Sequence, residues 1–216
     1  MGILKGAMTY HRLFLEGDLP SNPGQKFEQA VEPRRFMPLS EEGESMMAAG
    51  WVPSHAPLQD DLPLMHHDFI FGDHLVITYR EDELKYPKDY LRARIAERAR
   101  QFEEETGEKP TKAMLEAFEA GIRGELRRKL LPATRLVDVV WDFTTHEVRI
   151  FSRSKGPVER LQVLFERTFE VKLHQATYGQ RAFRHDLNMR SMGMLENLEA
   201  SPAFEPIHFQ THTLDT

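Results

Sequence analysis

Two charged segments with the spacing of amphipathic helices lie in the middle of the chain and constrain its fold more than any other feature. The first spans residues 88–105 and the second residues 111–130, and in each the apolar residues recur every three or four positions. Gly107 ends the first segment, Thr111 is the predicted N-cap of the second, and Pro132 ends the run. Only a short polar loop separates them, so the sequence predicts an antiparallel helical hairpin.

Segments with the alternating pattern of β-strands precede and follow this hairpin. The sequence predicts two β-hairpins there, residues 68–80 with a turn at Gly72, and residues 136–153. A further amphipathic helix (155–169) and a strand (171–177) follow. This order predicts an α+β fold, in which antiparallel sheet layers carry a projecting helical hairpin.

The first fifty residues alternate short apolar runs with turn signals. They predict a strand at 8–15, a short helix at 24–31, a second short strand at 35–38 and an acidic helical turn at 40–49. We therefore divide the chain into an N-terminal α+β part (1–80), the charged hairpin (81–135), a β-hairpin, helix and strand that complete the sheet (136–178), and a C-terminal helix with a loose tail (179–216).

Composition and missing motifs exclude several classes of protein. The chain has no cysteine, so disulfides, thiolate metal sites and a cysteine nucleophile are excluded. It contains neither a GxxxxGK[ST] nor a GxGxxG motif, and no serine lies in a GxSxG elbow. No stretch approaches the roughly 18 apolar residues that a membrane helix needs. We expect a soluble protein that is not an enzyme, has no catalytic residues, binds no cofactor and has no membrane partner.

Charge is distributed unevenly along the chain. The formal net charge of −6, taken as a whole, argues against a nucleic-acid binder. Residues 80–135, however, contain 14 Lys and Arg against 12 Asp and Glu, whereas residues 1–79 contain 5 against 11. The hairpin region is therefore mildly basic between acidic flanks, a pattern that can place positive charge on one surface.

Basic residues of the predicted hairpin are candidate contacts for nucleic-acid phosphates. Arg94 and Arg98 lie four residues apart, hence on one face of a helix, and arginine forks suit phosphate oxygens. Such a row can follow a nucleic-acid backbone without reading its bases. The competing interpretation is a solvated face on which arginines pair with neighbouring glutamates. The candidate contacts, chosen from helix placement and charge, are Arg92, Arg94, Arg98, Arg100, Lys109, Lys112, Arg123, Arg127, Arg128 and Arg135.

One stretch rich in aspartate and histidine is a metal-site candidate that the sequence does not favour. Its spacing matches no HExxH or HxE pattern, and neighbouring histidines on a strand would point to opposite faces. We therefore expect no metal site, with a metal-dependent nuclease as the alternative. The residues concerned are Asp60, Asp61, His66, His67, Asp68, Asp73 and His74.

Several short motifs occur in an order that indicates a protein family, which the physical arguments above do not. They are Tyr-His-Arg-Leu at 10–13, Phe-Met-Pro at 36–38, Gly-Trp-Val-Pro at 50–53, Leu-Leu-Pro at 130–132 and Trp-Asp at 141–142. The match spans about residues 8–178. In this order the chain resembles the recombination-associated protein RdgC family, as a short, C-terminally reduced member.

The resemblance implies an RdgC-like fold and a nucleoid-associated protein that binds double-stranded DNA with little sequence preference. Family members form ring-shaped homodimers with a positively lined central hole, and they restrain the strand-exchange recombinase RecA. Family members are also acidic overall. We therefore expect a protein of the cytoplasm and nucleoid that modulates homologous recombination. Its expected partners are double-stranded DNA, a second copy of itself and a RecA-type recombinase.

The chain departs from the family at the tip of the hairpin and in its shortened C-terminal part. The family usually continues Leu-Leu-Pro with Arg-Ala-Phe, whereas this chain has Ala133, Thr134 and Arg135, so the aromatic residue is absent. Residues 103–105 are all glutamate and place negative charge near the hairpin loop. These departures support an alternative function, a protein-interaction or scaffold module that keeps the RdgC-like fold but has lost DNA binding.

Overall fold

The fold of the described residues consists of one antiparallel sheet and several helices. A computed structural model describes residues 9–16, 23–59, 63–175, 191 and 193–194. The strands are β1 (His11–Glu16), β2 (Met47–Val52), β3 (Ile70–Phe71), β4 (His74–Glu83), β5 (Ala133–Asp142), β6 (Glu147–Ile150) and β7 (Lys172–Gln175). The helices are α1 (Pro23–Val31, followed by a 3-10 turn, Glu32–Arg34), α2 (His66–Phe69), α3 (Lys88–Thr106), α4 (Lys112–Arg127) and α5 (Lys155–Phe169).

The strands form a sheet in the order β2-β4-β5-β6-β1-β7, and β3 pairs with the remaining part of β4. Each pairing from β2 through to β1 is antiparallel. The α+β class and the antiparallel sheet are therefore confirmed. The chain divides into two compact units, residues 1–174 and 175–216. The predicted C-terminal helix and tail fall in the second unit and, apart from residues 191, 193 and 194, lie outside the described residues.

The core lies between one face of the sheet and helices α1 and α5. On β4, Leu75 and Ile77 lie two residues apart and therefore on one face of the strand, and they pair with Trp141 and Val139 of β5. These four side chains are fully buried. Helix α5 covers them with an aromatic stripe, of which Phe165 lies 5.4 Å from Trp141 between ring centroids. The buried residues alternate along the strands and recur at helical spacing along α5. The two sets therefore pack against each other in a single hydrophobic layer.

Helices α3 and α4 form the predicted hairpin and connect β4 to β5. Helix α3 ends where Gly107 adopts a left-handed backbone with φ of 75°. The hydroxyl of Thr111 then accepts a hydrogen bond from the backbone N–H of Met114 at 3.4 Å and caps α4. Because Glu83 at the end of β4 pairs with Ala133 at the start of β5, the chain leaves and re-enters the sheet at one place.

The predicted helical turn at 40–49 is wrong, because this region runs from an irregular loop into strand β2. Alanine and methionine favour helices in isolation, but residues 47–52 pair with β4 along their whole length, and this tertiary pairing overrides local propensity. The predicted strand at 35–38 is reduced to a single parallel bridge between Arg35 and Trp51. Strand β4 also continues to Glu83, past the end predicted at position 80.

Gly50 allows the segment before β2 to cross close to that strand. The backbone N–H of Phe36 donates to the carbonyl of Trp51 at 2.9 Å, and the Phe36 side chain is buried against the Arg80 guanidinium. A Cβ atom at position 50 would lie 2.5 Å from both the N and the Cα of Phe36. Backbone atoms cannot give way as a flexible side chain can, so only glycine fits this position.

We expect Gly50→Ala to lower the free energy of unfolding by about 1–3 kcal/mol, as overpacking in a well-packed core does. The matched control is Gly124→Ala in α4, where a Cβ would meet nothing within 4 Å. Alanine should there stabilise the protein by up to about 1 kcal/mol, since glycine is a poor helix former. Urea unfolding followed by circular dichroism measures both. Equal urea midpoints for Gly50→Ala and the wild type would show that the protein accommodates a Cβ atom at position 50, and would contradict the prediction.

Candidate nucleic-acid interface

The ten candidate phosphate contacts lie on the helical hairpin and at the start of β5. Four are on α3, Lys109 is in the connecting loop, Arg128 follows α4, and Arg135 is on β5. Nine of the ten side chains are exposed, and the exception is Arg127. Most of the predicted cations are therefore exposed on the hairpin, where Arg94 and Arg98 share one face of α3 and Arg92 and Arg100 lie on another.

The two helices of the hairpin pack through a small apolar seam. Leu91 of α3 and Ile122 of α4 are buried, and the rings of Phe102 and Phe118 lie 6.1 Å apart. The guanidinium of Arg98 lies 5.7 Å from the centre of the Phe118 ring, a cation–π distance that keeps this arginine close to the seam. The hairpin thus has its own hydrophobic contacts, and most of its charged side chains are exposed.

A groove of about 440 Å³ follows this seam on one side of the hairpin. Arg94 and Arg98 line it from α3, as do Glu97 from the same helix and Glu125 from α4. Its charge is therefore mixed, because two arginines and two carboxylates line it. The predicted pair Arg94 and Arg98 does share one helix face, as its spacing requires.

Most of the exposed cations have a carboxylate partner three or four residues away on the same helix. The pairs, with their shortest N–O distances, are Arg92–Asp89 (3.9 Å), Arg94–Glu97 (2.7 Å), Arg100–Glu104 (3.6 Å), Lys112–Glu116 (3.8 Å) and Arg123–Glu119 (2.6 Å). The hydrogen bond to Glu97 raises the pKa of Arg94 above its ordinary value. Exposed pairs of this kind contribute about 0–1 kcal/mol, so they exchange readily for another anion.

Arg127 differs from the other nine because it is a buried anchor of the hairpin. Its Nε and Nη2 donate to the carbonyl oxygen of Ser40 at 3.0 and 2.8 Å, and Nη2 also donates to the carbonyl of Ser45 at 2.8 Å. Only 9% of the residue is exposed. The inclusion of Arg127 among the surface contacts therefore needs correction, because its guanidinium faces the loop before β2.

Arg135 takes part in a partly buried cluster centred on Glu81, which sequence reasoning missed. Glu81 on β4 accepts hydrogen bonds from Arg135 at 3.1 Å, from Arg160 of α5 at 2.7 and 2.8 Å, and from the Tyr79 hydroxyl at 2.9 Å. Arg160 is the main cause of the lowered pKa of Glu81, and burial is the main cause that raises the pKa of Tyr79 to about 12. The sequence does indicate this position of Glu81. In a strand every second residue points to the same side, so Glu81 lies on the same side of β4 as Leu75, Ile77 and Tyr79.

The aspartate- and histidine-rich stretch does not assemble as a metal centre where the structure describes it. His66 and His67 belong to helix α2 rather than to the strand assumed from the sequence. Nδ1 of His66 lies 2.9 Å from Oε2 of Glu28, and the His66 backbone N–H is the main cause of the lowered pKa of that carboxylate. Among the described residues, no three potential ligands converge, and Asp60 and Asp61 lie outside them.

Comparison with known proteins leaves the family open. The chain matches no protein-family model, and no curated protein sequence matches it. Among the described helices, none is long and apolar enough to span a membrane. The resemblance to the RdgC family therefore stays a prediction that rests on the order of short motifs.

We expect Glu81→Gln to lower the free energy of unfolding at neutral pH by roughly 2 kcal/mol, because two arginines lose a buried carboxylate. The pKa of Glu81 is lower in the folded than in the unfolded protein. The stabilisation is therefore complete above the ordinary glutamate pKa of about 4.3 and is lost as pH falls through the folded-state pKa.

Urea unfolding across this pH range tests the prediction, with the exposed Glu159→Gln on the same helix as Arg160 as the control. The gap between wild type and Glu81→Gln should narrow in acid, whereas Glu159→Gln should follow the wild type throughout. A gap that is constant with pH would rule out the ion pairs as its origin.

Proposed function

We propose that this protein binds double-stranded DNA through its phosphate backbone, without reading sequence, by the exposed cations of the helical hairpin. The observation that carries the proposal is that nine basic residues are exposed on this hairpin, directly after it and at the start of β5. Arginine and lysine side chains on helix faces can contact successive phosphates and release counterions, which requires no base-specific geometry.

The intrahelical ion pairs are compatible with this role. The guanidinium of Arg94 lies at the surface, 2.7 Å from the carboxylate of Glu97. A phosphate oxygen can then replace the carboxylate at small cost, since an exposed pair contributes little to stability.

The cellular part of the proposal rests on the motif resemblance. We propose a non-enzymatic, RdgC-like protein of the cytoplasm and nucleoid that modulates homologous recombination by restraining RecA-type strand exchange. It would act as a homodimer, and enclosure of the duplex by a ring would supplement a modest affinity for phosphate. A local positive lining is sufficient for this, so a net charge of −6 is compatible with it.

A second candidate function is a protein-interaction module without DNA binding. The mixed-charge groove favours it, because Glu97 of α3 and Glu125 of α4 line the groove together with Arg94 and Arg98. Carboxylates beside arginines repel phosphate but complement a protein surface that carries both signs of charge. The first function requires an affinity for duplex DNA that falls as the salt concentration rises, whereas the second requires no affinity for duplex DNA.

Reversal of both arginines, Arg94→Glu with Arg98→Glu, should weaken binding to two duplexes of unrelated sequence to the same extent. It should also lower the slope of log affinity against log salt by about 2, since each lost phosphate contact removes about 0.9. Fluorescence anisotropy across a salt series measures both quantities.

The control for this experiment reverses the same amount of charge away from the hairpin, as Lys26→Glu with Arg167→Glu on exposed positions of α1 and α5. It should leave the slope unchanged. Absence of wild-type binding even at low salt would reject the DNA proposal in favour of the interaction module. A loss confined to one of the two sequences would reject binding without sequence preference.

A further inference from the structure

Arg127 connects the base of the hairpin to the loop that leads into strand β2. Three hydrogen bonds join its guanidinium to the carbonyl oxygens of Ser40 and Ser45, at 3.0, 2.8 and 2.8 Å. Its Nη1 lies 3.7 Å from the sulfur of Met46. One side chain of α4 therefore holds both ends of the loop formed by residues 40–45.

The acceptors of Arg127 are neutral, which is unusual for a buried cation. Within the described residues, its partners are two carbonyl oxygens and a thioether sulfur, and no carboxylate lies within ion-pair distance. Loop 40–45 does contain Glu41, Glu42 and Glu44, but these side chains are exposed. A buried guanidinium that relies on carbonyl dipoles depends on the loop keeping one conformation.

Local hydrogen bonds shape loop 40–45 for this contact. The backbone N–H of Gly43 donates to the carbonyl of Ser40 at 3.3 Å, and the Ser45 hydroxyl donates to the carbonyl of Met47 at 2.7 Å. Directly after the loop, the carbonyl of Met46 accepts from the N–H of Leu84 at 2.9 Å, where the chain leaves the sheet for the hairpin. The loop is thus tied to the sheet on one side and to α4 on the other.

We propose that Arg127 and loop 40–45 form a latch that fixes the angle between the helical hairpin and the sheet. The chain joins the hairpin to the sheet through two connections, residues 84–87 and 128–132, which lie side by side because Glu83 pairs with Ala133. Two adjacent connections act as a hinge, so a third contact is needed to fix the angle. Arg127 supplies that contact, and opening of the latch lets the hairpin pivot. This inference does not depend on the hairpin binding DNA.

The absence of native cysteine makes the angle directly measurable in the full-length chain. Spin labels on Lys109→Cys in the hairpin loop and Lys26→Cys on α1 report one distance between the hairpin and the sheet layer, by pulsed electron–electron double resonance. Both positions are exposed. We expect a single narrow distance peak for the latched protein.

Arg127→Met should cause loss of the narrow peak, because methionine fills the space but donates no hydrogen bond. Arg128→Met is the matched control, the same substitution at the exposed neighbouring residue, and should keep the peak. Arg127→Lys, which keeps the charge but has fewer donors in fixed geometry, should give an intermediate width. Unfolding in urea, followed at the sheet by tryptophan fluorescence, checks that each variant is folded.

A narrow peak in folded Arg127→Met, or equal broadening in Arg127→Met and Arg128→Met, would overturn the latch. If Arg127→Met does not fold, Arg127→Lys decides the question: broadening supports the latch and an unchanged peak contradicts it. Amide hydrogen exchange gives a second readout. Faster exchange confined to residues 38–46 and 84–87 is the expected result, whereas equally faster exchange in β5 and β6 would indicate general destabilisation and contradict a latch.

Discussion

The pairing of β4 with β5 is the interaction on which the rest of the fold depends. It joins the two longest strands over their full ten residues, from His74 opposite Asp142 to Glu83 opposite Ala133. Its core-facing side carries the residues that α1 and α5 cover, so the hydrophobic layer exists only when this register is correct. The same register brings the two ends of the helical hairpin together. The hairpin must therefore close its own small core, and contacts near its base determine its direction.

Burial separates the roles of the ion pairs in this structure. Arg94–Glu97 and Arg160–Glu81 have the same shortest distance, 2.7 Å, but Glu97 is 43% exposed whereas Glu81 is 3% exposed. Water screens the first pair, so its arginine can exchange partners without affecting the fold. The second pair fastens α5 to β4, and loss of its carboxylate leaves two cations beside the core. Residue type alone does not distinguish a candidate binding cation from a structural one; the burial of the cation or of its partner does.

Regular periodicity made much of the fold predictable. Helices α3, α4 and α5 and the strands on either side of the hairpin follow from their spacing, since each buries one face. Strand β2 was missed because pairing with β4, a long-range interaction, gives residues 47–52 their conformation. Arg127 was taken for a surface cation because helix spacing shows which residues share a face. It does not show which part of that face meets another segment.

The distribution of acidic residues restricts where the hairpin can meet an anion. At its far end α3 has glutamates at 103, 104 and 105, and at its base loop 40–45 exposes Glu41, Glu42 and Glu44. Because Arg127 is held by backbone carbonyls, it neutralises none of these side chains directly. Negative charge therefore lies near both ends of the hairpin, and the arginines between these ends, Arg92 to Arg100 and Arg123, are the cations on which the proposed phosphate contact would mainly rely. The latch and the proposed interface thus use the same helix, with the exposed Arg123 one turn before the buried Arg127.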